Sequence, residues 1–140
     1  MSEQAVRDLF DDWERVWHEG RYDLVAKCAE PVYVRHDEAG TRNVTPVEYA
    51  AELAAAHRAR PNSRIDVYDH EITADRAWSR FNLTWNDATT GEKRSRAGMQ
   101  LYRIEDRKLA ETWLTVLGLG TAWPDVAKQE RWTLGRDAAG

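Results

Sequence analysis

The sequence predicts an α+β fold in which a curved, cone-shaped antiparallel sheet wraps around N-terminal helices. The order of patterns is the first reason: helical spacing dominates the first 60 residues, and alternating strand patterns fill residues 64–116. The second is the stretch 95–116, which predicts two long strands joined by a tight turn at Glu105-Asp106-Arg107. The third is that both faces of these strands carry apolar residues, more than a sheet with one solvated face requires.

Two helices are predicted before the first strand. Ser2 is a capping residue, and the helix that follows runs to about Glu19 and stops at Gly20. Its apolar face repeats at helical spacing and consists of Val6, Leu9, Phe10, Trp13, Val16 and Trp17. Residues 21–28 predict a second, short helix, which ends before Pro31.

The remaining elements follow from turn residues and alternation. Residues 32–34 predict a short strand that leads to Arg35-His36-Asp37, and a loop follows through Gly40 and Asn43. Thr45-Pro-Val-Glu48 is a capping sequence, and its helix runs to about Arg60. Four antiparallel strands are then predicted over residues 64–70, 76–86, 94–104 and 109–116.

Composition limits the classes of function. The chain has 140 residues, a net charge of −4 and no basic stripe, which argues against a nucleic-acid surface. A single cysteine, Cys28, excludes an internal disulfide, and four scattered histidines lack metal-ligand spacing. No signal sequence or membrane span is predicted, so we expect a cytoplasmic protein. One domain is predicted over residues 1–118, with a tail over 119–140 that closes the pocket or contacts a second subunit and contains a short helix near Trp132.

Five short motifs between residues 5 and 116 carry a family resemblance: His18-Glu-Gly-Arg-Tyr-Asp23, Pro31-Val-Tyr-Val34, Thr45-Pro-Val-Glu48, Leu101-Tyr-Arg-Ile-Glu-Asp106 and Lys108-Leu-Ala-Glu-Thr-Trp113. With them the chain resembles the SnoaL-like polyketide cyclases and, more broadly, the nuclear transport factor 2-like superfamily. That group includes ketosteroid isomerase and limonene epoxide hydrolase. The resemblance implies a cone with a deep pocket, and a dimer formed through the outer face of the sheet.

The resemblance also implies which way each side chain points. The pocket-facing set on the strands is Trp78, Arg80, Asn82, Gln100, Tyr102, Thr112 and Leu114, joined from the helices by Trp13, Trp17 and Tyr49. The outer set, expected to form a homodimer, is Phe81, Leu83, Trp85, Met99, Leu101 and Trp113.

Positions matched to the relatives' catalytic residues give the candidate chemistry. His36 falls where ketosteroid isomerase has its general base, and Gln100 falls where that enzyme has a protonated Asp. The Arg-x-Asp pair of limonene epoxide hydrolase falls on Arg80-Phe81-Asn82, and the last-strand acid of that enzyme and of the SnoaL cyclases falls on Leu114. At both positions where these relatives carry an acid, this chain has a residue without a carboxylate, Asn82 or Leu114.

The leading hypothesis is an enzyme of cyclase or isomerase type that uses no cofactor and no metal. His36 would take a proton from the carbon next to a carbonyl, and Arg80, Asn82 and Gln100 would hold the enolate of a polycyclic, polyketide- or steroid-like substrate. Alternatives are a non-catalytic module that binds an aromatic or terpenoid ligand, an epoxide-opening enzyme, and a purely structural dimer domain. For Arg80 the alternative is a buried ion pair with Asp66 or Asp69.

Overall fold

A computed structural model describes residues 2–135. Three α-helices are α1 (Glu3–Glu19), α2 (Val25–Cys28) and α3 (Pro46–Ala59), and a short 3₁₀ helix (Tyr22–Leu24) precedes α2. Six strands are β1 (Ala29–Asp37), β2 (Gly40–Val44), β3 (Arg64–Ile72), β4 (Arg76–Asn86), β5 (Lys93–Glu105) and β6 (Lys108–Val116). No helix among the described residues is long and apolar enough to cross a membrane.

The predicted caps are formed. The Ser2 side chain accepts a hydrogen bond from the Ala5 N–H, and Gly20 ends α1 in the left-handed conformation. Thr45 and Glu48 form a reciprocal capping box, in which each side chain accepts from the other residue's backbone N–H. These local signals explain why the helix positions could be predicted from sequence.

The sheet has the order β2-β1-β6-β5-β4-β3. Its second half is antiparallel as predicted, but β1 pairs in parallel with β6, so the sheet is mixed rather than wholly antiparallel. The segment predicted as a loop is the edge strand β2, and β1 extends from Ala29 to Asp37 instead of stopping at Val34. The β5–β6 turn works without glycine because Asp106 and Arg107 both adopt positive φ, at 50° and 63°.

Strand register decides which side chains face the helices, because directly paired residues point to the same face. Phe81 pairs with Gly98, and Gln100 pairs with Leu114. Phe81 is buried in the core between sheet and helices. A Cβ at Gly98 would lie 2.7 Å from Phe81 Cζ, so only glycine leaves room for this ring. These four residues define the inner face.

The predicted inward-facing and outward-facing side chains are correct for β5 and β6 and wrong for β4. Trp78, Arg80 and Asn82 pair with Leu101, Met99 and Ala97, which places them on the outer face. Phe81 and Leu83 therefore face inward, where both line a cavity. Trp85 shares their alternation and lies under the guanidinium of Arg60, at the end of α3. These three residues cannot form an outer dimer surface.

The tail contains no helix among its described residues, which corrects the helix predicted near Trp132. It crosses the outer face of β4 and passes the edge strand β3, and its last described residues lie against α1. The Gln129 N–H donates to the Val67 carbonyl, and Trp132 Nε1 donates to the Ile65 carbonyl. The tail thus covers the open edge of β3, a row of backbone groups that otherwise invites pairing with another chain.

Candidate functional site

A cavity of about 130 Å³ lies between the inner face of the sheet, α1 and α3. Most of its wall is apolar, and one end is charged. Its lining consists of Trp17, Arg35, Asp37, Arg42, Tyr49, Glu52, Leu53, Ala56, Ile65, Phe81, Leu83, Gln100, Leu114 and Val116. We call it the inner cavity. A separate crevice of about 20 Å³ near Phe10, His70 and Trp132 is too small for more than a water molecule.

Four alternating charges form one end of the inner cavity, which we call the charged end. Asp37 Oδ2 lies 3.6 Å from Arg35 Nη2 and accepts a hydrogen bond from Arg42 Nη2 at 3.0 Å. Arg42 also donates to Glu52 on α3 at 2.7 Å. Side-chain exposure rises along the series, from 6% at Arg35 through 12% and 28% to 42% at Glu52. The mouth of the cavity therefore lies at Glu52, and Arg35 is the deepest charge.

Strand alternation in β1 places Tyr33, Arg35 and Asp37 on one face. Arg35 is held from two sides: Nη1 donates to the Tyr33 hydroxyl at 3.1 Å, and its guanidinium carbon lies 4.7 Å from the ring centroid of Tyr49. The Tyr33 hydroxyl is also hydrogen-bonded to Thr112 Oγ1. The Nε atom of Arg35 is buried and has no partner among residues 2–135.

Asp37 is ionised at neutral pH. Burial raises its pKa, but the Ala39 N–H, Arg42 and Arg35 outweigh burial, so the net pKa lies below the usual value for Asp. Oδ1 accepts the Ala39 N–H at 3.0 Å, and Oδ2 faces the two guanidinium groups. Asp37 is thus a carboxylate already fixed in position and charged.

The predicted site residues divide into three groups. Four line the inner cavity: Trp17, Tyr49, Gln100 and Leu114. Three are buried beside it and belong to the core or to the hydrogen bonds around Tyr33: Trp13, Tyr102 and Thr112. Four lie on the outer face, contrary to prediction: His36, Trp78, Arg80 and Asn82. Gln100 is the one predicted catalytic residue that the structure brings to the cavity.

His36 points away from the inner cavity because it alternates with Arg35 and Asp37. Its ring stacks on Trp113 at 5.2 Å, its Nε2 lies 2.6 Å from Glu111 Oε2, and its Nδ1 lies 2.8 Å from Thr41 Oγ1. Both ring nitrogens are engaged in contacts on the outer surface. His36 therefore cannot act as the base of the inner cavity.

Arg80 and Asn82 hold the tail. Both Nη atoms of Arg80 donate to the carboxylate of Asp125, at 2.8 and 3.1 Å, so its partner is neither Asp66 nor Asp69. Asn82 Oδ1 accepts the Trp123 N–H at 2.9 Å. The arrangement that the limonene epoxide hydrolase resemblance implies is absent here, because these two residues lie on the opposite face from Leu114.

The outer face that the tail leaves bare carries Met99, Leu101 and Trp113, which are 47%, 43% and 37% exposed. They lie on the face where the resemblance implies a subunit contact. The homodimer itself stays a prediction.

Sequence reasoning missed Arg35, Asp37, Arg42 and Glu52. The signal for the first two was available, because Tyr33-x-Arg35-x-Asp37 alternates as a continuation of the first strand. Arg42 and Glu52 have no such signal, because the sequence predicts a loop where β2 lies and α3 has a weakly defined apolar face. Within residues 2–135, no group of three or more His, Cys, Asp or Glu side chains is arranged to hold a metal ion.

No protein-family model matches the chain. No curated protein matches it either. Solved structures do match in fold. A protein assigned as a polyketide cyclase from Acidithiobacillus ferrooxidans superposes with a TM-score of 0.72 at 18% identity, covering 80% of this chain and 87% of that one.

A SnoaL-like polyketide cyclase from Agrobacterium tumefaciens has a TM-score of 0.71 at 13% identity, with 80% and 91% of the two chains covered. A protein with a ketosteroid isomerase-like fold from Catenulispora acidiphila, solved with trimethylamine, has a TM-score of 0.66 at 9% identity, with 76% and 83% covered. At these identities the likeness is one of fold. It confirms the predicted α+β cone, which has a ketosteroid isomerase-like fold.

Proposed function

We propose that the inner cavity binds a small ring-bearing carbonyl compound and that the protein is an enzyme of cyclase or isomerase type. The observation that carries the proposal is the cavity's division into an apolar wall and one charged end with a fixed carboxylate. Ligand sites typically combine such walls with a few polar groups that orient the ligand. The likeness in fold to polyketide cyclases supports the same class of reaction.

In the proposed mechanism, Asp37 replaces His36 as the base. The carboxylate takes the proton from the carbon next to the substrate carbonyl, the C–H electron pair forms the enolate, and the carboxylic acid returns the proton to carbon. The amide of Gln100, which lines the cavity, is the donor for the developing negative charge. The Gln100 amide suits this role because it has no hydrogen-bond partner among the described residues, although the residue is only 8% exposed.

The volume limits the substrate. An apolar cavity of about 150 Å³ holds benzene, so about 130 Å³ matches a single ring with small substituents. Four fused rings exceed this volume unless α3 moves outward. We therefore favour a one-ring substrate over the steroid-like compound that the family resemblance implies.

The test is deuterium uptake from deuterium oxide into one-ring ketones, followed by NMR, together with conversion of deconjugated cyclohexenone to its conjugated isomer. Asp37→Asn should lower the rate of exchange by about 100-fold or more, as expected for loss of a general base. His36→Gln is the matched control, because it alters the neighbouring residue on the outer face and should leave the rate unchanged. A rate that falls with His36→Gln and not with Asp37→Asn would refute the assignment.

One observation favours a non-catalytic binding module as second candidate. The pKa of Asp37 is lowered by groups that already hold both its oxygens, which makes it a weak base. In that case ring ketones would stabilise both the wild-type protein and Asp37→Asn against heat, and neither protein would catalyse deuterium exchange into the ketone.

A further inference from the structure

The hydroxyl of Tyr49 is a hydrogen-bonding group of the inner cavity that the proposed mechanism does not use. Tyr49 lines the cavity and is only 3% exposed. Its hydroxyl has no hydrogen-bond partner among residues 2–135, yet it keeps some accessible surface, in contrast to the fully enclosed Nε of Arg35. The hydroxyl is therefore available to a molecule that occupies the cavity.

The other tyrosines show that an unpaired hydroxyl facing a cavity of this size is unusual in this protein. The hydroxyls of Tyr22, Tyr33 and Tyr68 are each hydrogen-bonded to another side chain. Tyr102 also lacks a partner among the described residues, but it lines the crevice of about 20 Å³, where a water molecule fits. Buried polar groups are normally satisfied, so the free hydroxyl of Tyr49 indicates a partner supplied by a ligand.

The ring of Tyr49 is fixed in position by its neighbours. It stacks on Trp13, with the ring centroids 5.9 Å apart, and meets the ring of Tyr33 edge-on at 5.5 Å. The guanidinium carbon of Arg35 lies 4.7 Å from its centroid. Because the ring cannot turn freely, its hydroxyl loses little freedom when a ligand binds, which favours binding.

Helical spacing on α3 places Tyr49 one turn deeper in the cavity than the exposed Glu52 at the mouth. Burial raises the pKa of Tyr49, and the nearby Arg35 cation offsets this only in part. The hydroxyl is therefore protonated at neutral pH, and it can donate one hydrogen bond and accept another. Its partner is an uncharged oxygen function, either a hydroxyl or a carbonyl.

The position of Gln100 argues that this oxygen is not the reacting carbonyl. Gln100 lies on β5, two strands away from β1, where Arg35 lies beneath the ring of Tyr49. At the usual spacing of neighbouring strands, this separation is about 10 Å. The Gln100 amide and the Tyr49 hydroxyl thus suit two oxygens at different positions of one ring.

We propose that the ligand of the inner cavity carries a second oxygen substituent on its ring, which the Tyr49 hydroxyl binds while Gln100 binds the carbonyl oxygen. This inference rests on the proposed function and deepens it, since it assigns the substrate class as an oxygen-substituted one-ring ketone. A site built to hydrogen-bond such a group discriminates strongly against an analogue that lacks it. Tyr49 is then a residue that determines specificity.

The experiment compares each hydroxycyclohexanone isomer with the methylcyclohexanone substituted at the same carbon, which has nearly the same volume. Calorimetry measures the dissociation constants. We expect at least one hydroxyketone to bind at least about 10-fold more tightly than its methyl counterpart. Tyr49→Phe removes only the oxygen and should abolish the preference. Tyr68→Phe, the same change at a hydroxyl that binds Asn82 on the outer face, should leave it intact.

The outcomes separate this inference from the proposed function. Equal affinity within every pair, a preference that persists in Tyr49→Phe, or binding of none of the ketones overturns the second-oxygen site. Equal weakening of hydroxyketones and methylketones by Tyr49→Phe overturns it too, because Tyr49 would then bind the carbonyl. If ketones exchange deuterium without the preference, the proposed function stands alone. If the preference is present without exchange, the site stands and the proposed reaction fails.

Thermal denaturation without ligand gives an independent readout. Because the Tyr49 hydroxyl has no partner in the described protein, Tyr49→Phe should leave the melting temperature unchanged or raise it. Tyr33→Phe should lower it, because the Tyr33 hydroxyl is bound by Thr112 and Arg35. A decrease for Tyr49→Phe as large as that for Tyr33→Phe would mean that the hydroxyl is already bound within the protein, and would overturn the inference.

Discussion

Arg35 and Arg80 lie on opposite faces of one sheet, and the protein uses them differently. Arg80 is 22% exposed, yet both its Nη atoms are bound by one carboxylate, that of Asp125. Arg35 is only 6% exposed, yet its nearest carboxylate oxygen is 3.6 Å away and its Nε has no partner among the described residues. The less buried arginine is thus the better satisfied one.

The difference teaches that close pairing with a carboxylate, rather than burial, separates a structural charge from one open to a ligand. A buried charge with every donor bound fixes the fold around it. A buried charge with donors to spare is retained at a cost in stability, which natural proteins tolerate mainly at functional sites. The tail pairs with Arg80 on the outer face, whereas within residues 2–135 the Nε groups of Arg35 and Arg42 at the charged end have no acceptor.

The largest expected effect on stability concerns Trp132, which attaches the tail to the core. Trp132 is 9% exposed and donates to the Ile65 carbonyl, so Trp132→Ala should lower the free energy of unfolding by about 3–5 kcal/mol. Val126→Ala, a change at a fully exposed position of the same tail, should alter it by less than about 0.5 kcal/mol. Denaturant titration measures both. A small effect for Trp132→Ala would mean that the tail is not part of the folded core.

Glu14 gives a smaller effect that depends on pH. Burial raises its pKa, but hydrogen bonds from His18, the Trp132 N–H and Arg131 outweigh burial and lower it below the usual 4.5. Its stabilising contribution is therefore complete above about pH 4.5 and is lost as the pH falls through the lower pKa of the folded state.

At neutral pH, Glu14→Gln should lower the free energy of unfolding by about 1.5–3 kcal/mol, because it removes a charged acceptor of two hydrogen bonds. The gap between wild type and variant should close as the pH falls from 5 towards 2. Denaturant titrations at several pH values measure it. A gap of constant size would show that the charge of Glu14 does not stabilise the tail.

The helices were predictable because local signals define them. The site was not, because it depends on contacts between residues that are far apart in the sequence. Ser2, Gly20 and the Thr45–Glu48 box act within a few residues, so sequence alone identifies them. The prediction of which β4 side chains point inward was wrong because both faces of the sheet are apolar. Alternation alone therefore does not identify the inner face. Arg80 and Asn82 resemble pocket residues in the sequence because the tail that binds them lies about 40 positions later, and its described residues form no helix or named strand.

The charged end was hidden for a different reason. Arg35 and Asp37 continue the alternation of Tyr33, but the predicted strand ends at Val34 and therefore does not include them. Their partners Arg42 and Glu52 come from an edge strand and a helix, and pairing across separate elements leaves no trace in one sequence. The fold was therefore recoverable from local pattern and resemblance, whereas the site required the register of the strands.

The smallest expected effect is the sharpest test, and it compares the two arginines directly. Arg80→Met removes a bidentate ion pair that fixes the tail, so the free energy of unfolding should fall by about 1–2 kcal/mol. Arg35→Met removes a more deeply buried cation but leaves Asp37 bound by Arg42 and the Ala39 N–H, and it relieves an unsatisfied donor. The free energy of unfolding should fall by less than for Arg80→Met, because Asp37 keeps a cationic partner in Arg42 and a buried N–H without an acceptor is removed. Denaturant titration of the two variants side by side measures both changes in the free energy of unfolding. A loss for Arg35→Met larger than that for Arg80→Met would make Arg35 a structural residue and remove the main reason to place a ligand beside it.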